Sequence, residues 1–267
     1  VIFDPLFSEV VTRLPAARYI YDCLDLYSQQ PQFAAPRQRA ALEAAELSLS
    51  KRVDSIWASS THVAEHFQPW GLEAHFAPGA VTRPAWAPLE RRDHAARGTA
   101  TVHAIYVGAL DPYKVDMGVF WALVDCDSRV KLTIIGGFQR TDGVAVRRYE
   151  DLAAHDRVSW IGPLPREDLG PWLYEADFGV VAMTARSYSR GSFPLKYWDY
   201  QWAGLPVLAA NSVALVGWPG VLACDEQNAV DSEIIDRLLR MRDACADYVD
   251  NAARNDARAR VRSILDG

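Results

Sequence analysis

The chain has little that would tie it to a metal, a disulfide framework or a bilayer. Its four cysteines, Cys23, Cys126, Cys224 and Cys245, are far apart, form no C-x-x-C pair and have no histidine cluster beside them. Disulfides and a zinc site are therefore disfavoured, and buried thiols in a reducing cytosol are expected. No apolar run approaches the roughly 20 residues that a helix needs to span a bilayer, and no signal-peptide pattern is visible. Positive charge is not in excess: 28 Lys and Arg stand against 34 Asp and Glu, for a net charge of −6. Nothing electrostatic points to nucleic acid, and solubility accounts for the acidity. There is no Walker loop, no G-x-S-x-G elbow, no H-E-x-x-H and no DxD-type metal site in a suitable loop. Gly136-Gly137 begins a dinucleotide fingerprint without completing it, which disfavours hydride transfer.

What is present is an ordinary soluble composition, half apolar over 267 residues, enough for two domains. Short apolar runs predict strands at Val1–Phe3, Tyr19–Tyr21, Ser55–Ala58, Ala74–Ala77, Val102–Val107, Lys131–Ile135, Val158–Ile161, Phe178–Ala182, Val207–Ala210 and Val221–Cys224. They lack clean alternation, as strands covered on both faces do. Helical patterns lie between them at Arg37–Lys51, Thr61–Phe67, Asp116–Val124, Val144–Ala154, Arg166–Glu175 and Leu195–Trp202, with two more expected within Ser232–Leu265. Alternation of this kind predicts an α/β chain with parallel sheets, whose ligands bind beyond the carboxyl ends of the strands. Arg83–Gly98, with two prolines and scattered charges, reads as a linker between residues 1–82 and 99–267. Val1 opens directly on a strand-like run without a methionine, so the first domain is expected to be incomplete.

Chemistry concentrates in Gly191–Ala210. This segment reads as a loop, a short helix, a sharp stop at Gly204-Leu205-Pro206 and a buried strand. Ser192, Phe193 and Pro194 are expected at the helix start, where unpaired N–H groups and the helix dipole favour a phosphate. Lys196 adds a full charge in that turn. Asp199, three residues on and on nearly the same face, could accept two hydrogen bonds from a ribose diol. The plain alternative is a surface Lys–Asp pair on an amphipathic helix. Val102–Val107 runs into Gly108, which permits close backbone approach to a ligand, followed by a polar loop with Lys114. Leu164 follows another strand in a Gly-Pro turn and could border a base, or simply turn the chain. Asp22 and Asp25 follow the strand at Tyr19–Tyr21; one could serve as a general base, or either could cap the next element. Ser60 reads as the cap of the helix from Thr61.

Taken in order, "YDCLD", "VDSIWASSTHVAEHF", "YVGAL", "LTIIGG", "VSWIGPLPREDLGPWLYEADFGVVAM" and "FPLKYWDYQWAGLPVLA" resemble the glycosyltransferases of the GT-B fold, over nearly the whole chain. The last segment is most similar to the bacterial glucuronosyltransferases of xanthan-type exopolysaccharide assembly. Those carry a lysine, two apolar residues, a polar ribose-contacting residue, a tyrosine, then Gly-Leu-Pro and Asn-x-Val. Here these are Lys196, Tyr197-Trp198, Asp199, Tyr200, Gly204-Leu205-Pro206 and Asn211-Ser212-Val213. Retaining GT4-type families share the plan, but they place a glutamate where this chain has Gly191. They also place an arginine where it has Ala109-Leu110-Asp111.

The resemblance implies two Rossmann-like domains, the first incomplete, with a nucleotide sugar, expected to be UDP-linked, as donor and no cofactor or metal. It implies a glycan or lipid-linked acceptor in cell-surface polysaccharide synthesis, a cytoplasmic location and peripheral contact with the inner membrane. Lys196 would hold the diphosphate and Asp199 the ribose, with Leu164 at the base and Asp25 as catalytic base. Gly108, Lys114, Gly191 and Ser192 would complete the substrate contacts. A sugar-nucleotide epimerase, a non-catalytic nucleotide-sugar-binding protein and a purely structural module are the alternatives.

Overall fold

Valine, isoleucine and aromatic runs form strands where their side chains find cover on both faces of a sheet. A computed structural model describes residues 1–16, 18–30, 33–87, 98–138, 149–185, 191–225, 230–244 and 247–266. Two compact units emerge. The first comprises Val1–Ala80, Arg186–Phe193 and Ala257–Gly267, and the second Val81–Ala185 and Pro194–Asp256. The division differs from a simple cut at the linker. The end of the chain and the stretch before Pro194 pack with the first unit. Residues 83–87 dock on the second unit: Trp86 donates from Nε1 to the Arg166 carbonyl at 2.8 Å and accepts at its own carbonyl from the Tyr174 hydroxyl. The remainder of the expected linker, residues 88–97, lies outside the described residues.

The first unit holds three parallel strands in the order β1 (Ile20–Cys23), β2 (Ser55–Ala58), β3 (His75–Phe76). The strand expected at Val1–Phe3 is only a single parallel bridge from Ile2 to Tyr21. Helices α1 (Pro36–Ser50) and α2 (Thr61–Glu65) lie between the strands. Ser60 caps α2 by accepting the Val63 N–H at 3.1 Å.

The second unit holds six parallel strands: β4 (Val102–Val107), β5 (Val130–Ile135), β6 (Val158–Trp160), β7 (Phe178–Ala182), β8 (Val207–Ala210) and β9 (Val221–Cys224). Their spatial order is β6-β5-β4-β7-β8-β9. The chain thus builds outward in one direction from β4, then returns to β7 and builds outward in the other. That reversal leaves a crevice beyond the carboxyl ends of β4 and β7, where doubly wound sheets bind ligands. Connecting helices are α3 (Met117–Cys126), α4 (Gly170–Glu175) and α5 (Lys196–Trp202). The helix expected at Val144–Ala154 lies partly outside the described residues.

Beyond β9 the chain forms three helices, not the two expected: α6 (Ser232–Asp243), α7 (Tyr248–Arg254) and α8 (Ala257–Asp266). The break between α7 and α8 lets α8 join the first unit. There the Arg260 guanidinium clamps both oxygens of buried Asp22 at 2.7 and 2.6 Å and donates from Nε to the Pro78 carbonyl. Among the described cysteines Cys23 and Cys224 are buried and free, while Cys126 is free but only half-buried, departing from the expectation of buried thiols throughout.

One buried ion pair joins the amino ends of β4 and β7 to α6. Asp177 accepts the His103 N–H on Oδ2 at 2.8 Å and the Arg242 Nη1 donor on Oδ1 at 2.6 Å, and both charged side chains are almost fully enclosed. Removing one partner strands the other charge in an apolar interior. Replacing Arg242 by methionine is therefore expected to destabilise the protein by about 3–5 kcal/mol, read as a lowered urea midpoint.

Candidate functional site

Helix α5 is buried on nearly every side: Tyr197, Trp198, Asp199, Tyr200, Gln201 and Trp202 are all enclosed. A seven-residue helix has too little intrinsic stability to hold itself, so tertiary contacts must fix it. Asn251 on α7 donates to the Tyr197 hydroxyl at 2.9 Å and to Gln201 Oε1 at 3.2 Å. The helix ends at Gly204, whose φ of 76° is left-handed, and the Leu205 N–H returns to the Tyr200 carbonyl at 2.9 Å.

At its start the structure corrects the sequence reading. The first helical residue is Lys196, after Leu195. The N–H groups of Tyr197 and Trp198 are already bonded to the carbonyls of Pro194 and Leu195, both at 3.0 Å. The tight opening turn consumes donors that a phosphate would have used, so the charge of Lys196 is the main attraction there. Ser192, expected at this helix start, belongs to the first unit.

The Lys196 ammonium sits 3.7 Å from the centroid of the Tyr106 ring, a cation–π contact at the end of β4. It lies against Gly108: an ideal Cβ on that glycine would stand 2.9 Å from Nζ, and its φ of 134° already excludes most side chains. Gly136 is as constrained, since a Cβ there would fall 1.8 Å from the Gly108 carbonyl oxygen. The two glycines let the ends of β4 and β5 close up beneath a cleft of about 310 Å³, lined by Val107–Ala109, Ile135–Phe138, Pro163 and Leu164. That volume lies at the lower end of the range for small-molecule sites. Among the described residues no carboxylate pairs with Lys196. Burial without a counter-ion pulls its ammonium down to about 7.

Asp199 is buried, and the Arg166 guanidinium contacts its Oδ1 twice, from Nε at 2.8 Å and Nη2 at 2.6 Å. Oδ2 accepts nothing from the described residues. Burial raises the carboxyl above the usual range, and Arg166 offsets part of that rise. The sequence reading missed Arg166. It stands two residues after Leu164, so its guanidinium ties the loop beyond β6 to α5. Lys114 is exposed on the turn after β4 and is not among the residues that line the cleft.

The other expected residues belong to the first unit. Half-buried Asp25 accepts the Ser192 hydroxyl at 2.8 Å. The Gly191 carbonyl accepts the Ser60 hydroxyl at 2.8 Å, and a Cβ at Gly191 would lie 3.1 Å from the His62 ring. Each oxygen of buried Asp22 accepts a hydrogen bond from the Arg260 guanidinium. No group of three or more His, Cys, Asp and Glu that could hold a metal ion stands among the described residues. No helix among them is long and apolar enough to cross a membrane.

Residues 102–241, more than half of the chain and including every side chain of the cleft, match the family of glycosyl transferases group 1. The chain belongs to the group 1 glycosyltransferases. It is 22% identical over 209 residues to TuaH of Bacillus subtilis (strain 168), a protein named for teichuronic acid biosynthesis. That similarity covers 72% of this chain but only half of TuaH. Among solved structures, Anabaena HepE in complex with UDP and glucose superimposes with a TM-score of 0.70 at 15% identity, over 97% of this chain and 72% of HepE. A trehalose-6-phosphate synthase superimposes with a TM-score of 0.67 at 14% identity, over 98% of this chain and 70% of that one. At such identities the likeness is one of fold: this group 1 glycosyltransferase has GT-B neighbours, as the sequence resemblance implies. Neither comparison singles out the xanthan-type enzymes.

In the group 1 chain Lys196 has an energetic signature of its own. An ordinary lysine holds its proton to about 10.4, whereas this one releases it at about 7 in the folded state. Folding therefore pushes the proton off, and the charged side chain opposes folding fully below pH 7. The opposition fades as pH rises from 7 toward the unfolded value. Lys196→Met should raise the melting temperature most at pH 6, with the gain shrinking toward pH 10, as followed by thermal-shift titration.

Proposed function

We propose that this group 1 glycosyltransferase transfers a sugar from a UDP-linked donor to a glycan or lipid-linked acceptor in cell-surface polysaccharide synthesis. The observation that carries the reading is the half-buried, unpaired ammonium of Lys196 at the carboxyl end of β4, beside the glycine-lined cleft. A cation held there without a counter-ion is poised for an anion, and a diphosphate is the anion a nucleotide sugar brings. Bond cleavage at the sugar places negative charge on the leaving diphosphate. A fixed ammonium in a poorly solvated site lowers that barrier more than it could in water. Asp199 Oδ2 is free to accept from a ribose hydroxyl, while Arg166 holds Oδ1 and keeps the carboxylate oriented. Leu164 and the neighbouring backbone offer an apolar edge for the base.

Asp25 takes the role of base toward the acceptor hydroxyl, with Ser192 fixing one of its oxygens. The acceptor class, the cytoplasmic location and peripheral contact with the inner membrane come from family resemblance. The name of TuaH agrees with the polysaccharide context.

Calorimetry with UDP, GDP and ADP should show binding of UDP and its loss in Lys196→Met. At pH 8, where much of Lys196 is deprotonated, UDP binding should take up protons. The apparent enthalpy will then vary with the ionisation enthalpy of the buffer, whereas binding without proton uptake would remove Lys196 from the phosphate. With an active full-length enzyme, Asp25→Asn should cut kcat by at least about 100-fold and leave donor affinity unchanged. Full turnover in that variant would exclude Asp25 as the base. Release of an epimerised sugar nucleotide without acceptor would point to an epimerase instead.

A further inference from the structure

The strands on either side of the crevice part early. β4 pairs with β5 over six residues and β7 pairs with β8 over four. Between β4 and β7 only Ala104–Phe178 and Ile105–Gly179 are in register. Beyond those pairs one side chain fills the gap. The Tyr200 hydroxyl accepts the Val107 N–H at 3.0 Å and donates to the Val180 carbonyl at 3.0 Å. A phenol thus replaces the missing rung of the ladder, satisfying backbone groups that separation would leave buried and unpaired. Its ring packs against β7 at residue 179, which is glycine: a Cβ there would come within 2.3 Å of the ring. Tyr200 itself is wholly buried.

Tyr200 and Lys196 are four residues apart on α5 and share one helix face. Fixing the hydroxyl between Val107 and Val180 therefore fixes where the lysine falls, one turn back, over Tyr106 and against Gly108. We propose that Tyr200 is a positioning residue: it holds the β4–β7 crevice open and sets the register of α5, so that the Lys196 ammonium stands where the donor's diphosphate binds. The proposal rests on the donor-site reading above for the ligand, and on the Tyr200 and Lys196 contacts for the positioning.

Tyr200→Phe keeps the ring and deletes only the bridge. Two readouts need no ligand. Amide exchange at Val107 should accelerate at least tenfold. The ε-methylene resonance of Lys196, one of four lysines in the chain, should lose the upfield ring-current displacement that Tyr106 imposes. UDP affinity, by calorimetry, should fall at least tenfold. Leu238→Ala on α6, a helix with no residue in the cleft, serves as the control. It should lower the melting temperature by as much or more, yet leave Lys196, Val107 and UDP affinity within twofold of wild type. Should Tyr200→Phe fail to fold, Gly179→Ala keeps the hydroxyl but crowds the ring and should displace the same lysine resonance. An unmoved Lys196 resonance with unchanged Val107 protection in the folded variant would overturn the proposal. Wild-type protein that ignores UDP, while Tyr200→Phe still displaces Lys196, would defeat the donor reading and leave the positioning role standing.

Discussion

The ammonium of Lys196 is held over an aromatic ring with no carboxylate among the described residues to balance it, and the second unit is arranged around tolerating that. Burying an isolated charge is among the most costly things a fold can do, and the usual relief is loss of the proton. Here burial lowers the ammonium to about 7, and the Tyr106 face 3.7 Å away is the favourable contact it retains. The remaining cost is a standing preference for any anion that enters the cleft. Under the proposed function, affinity for a diphosphate would come less from new contacts than from relief of that penalty.

The surrounding residues hold that unfavourable arrangement in place. Gly108 and Gly136 lack side chains because the lysine and the adjoining strand end occupy the space. Asp199, three residues from Lys196, could have neutralised it, but Arg166 draws the carboxylate to itself through two contacts on one oxygen. Two opposite charges on one short helix are thus kept from cancelling each other. The aromatic residues of α5 bury the rest of the helix, leaving Lys196 as its one half-buried residue.

The repetitive parts of this architecture were legible in the sequence. Five of the nine strands among the described residues, Phe178–Ala182 and Val207–Ala210 included, have the bounds expected from sequence. Runs of branched and aromatic residues between turns leave a chain few other options. The stop at Gly204 was equally plain, because glycine followed by leucine and proline suits a left-handed cap and little else. The start of α5 was harder to read. Proline at the second position before Lys196 suggested open donors, while the tight turn that uses them depends on packing of the following aromatics. Arg166 was invisible for a similar reason. Its partner lies 33 residues away, and an arginine beside a glutamate and an aspartate in sequence looks like a solvated surface. Division of the C-terminal region into three helices required knowing that Arg260 answers the buried charge of Asp22, a pairing across 238 residues.

Gly191 shows how a departure from a family pattern can have a local physical cause. GT4-type relatives of this plan place a glutamate at that position by resemblance, and its absence invites the idea of a degenerate site. In the first unit, however, the glycine carbonyl accepts the Ser60 hydroxyl, and a Cβ at this position would crowd the His62 ring at 3.1 Å. Ser60 meanwhile caps α2, so one hydroxyl both starts a helix and anchors the segment leading to Ser192. Ser192 in turn spends its hydroxyl on Asp25. A glutamate at 191 would press its Cβ on the His62 ring, which would have to give by a few tenths of an ångström. A small residue thus suits the packing at 191, and the carboxylate missing there is accompanied by a carboxylate that accepts the Ser192 hydroxyl at residue 25.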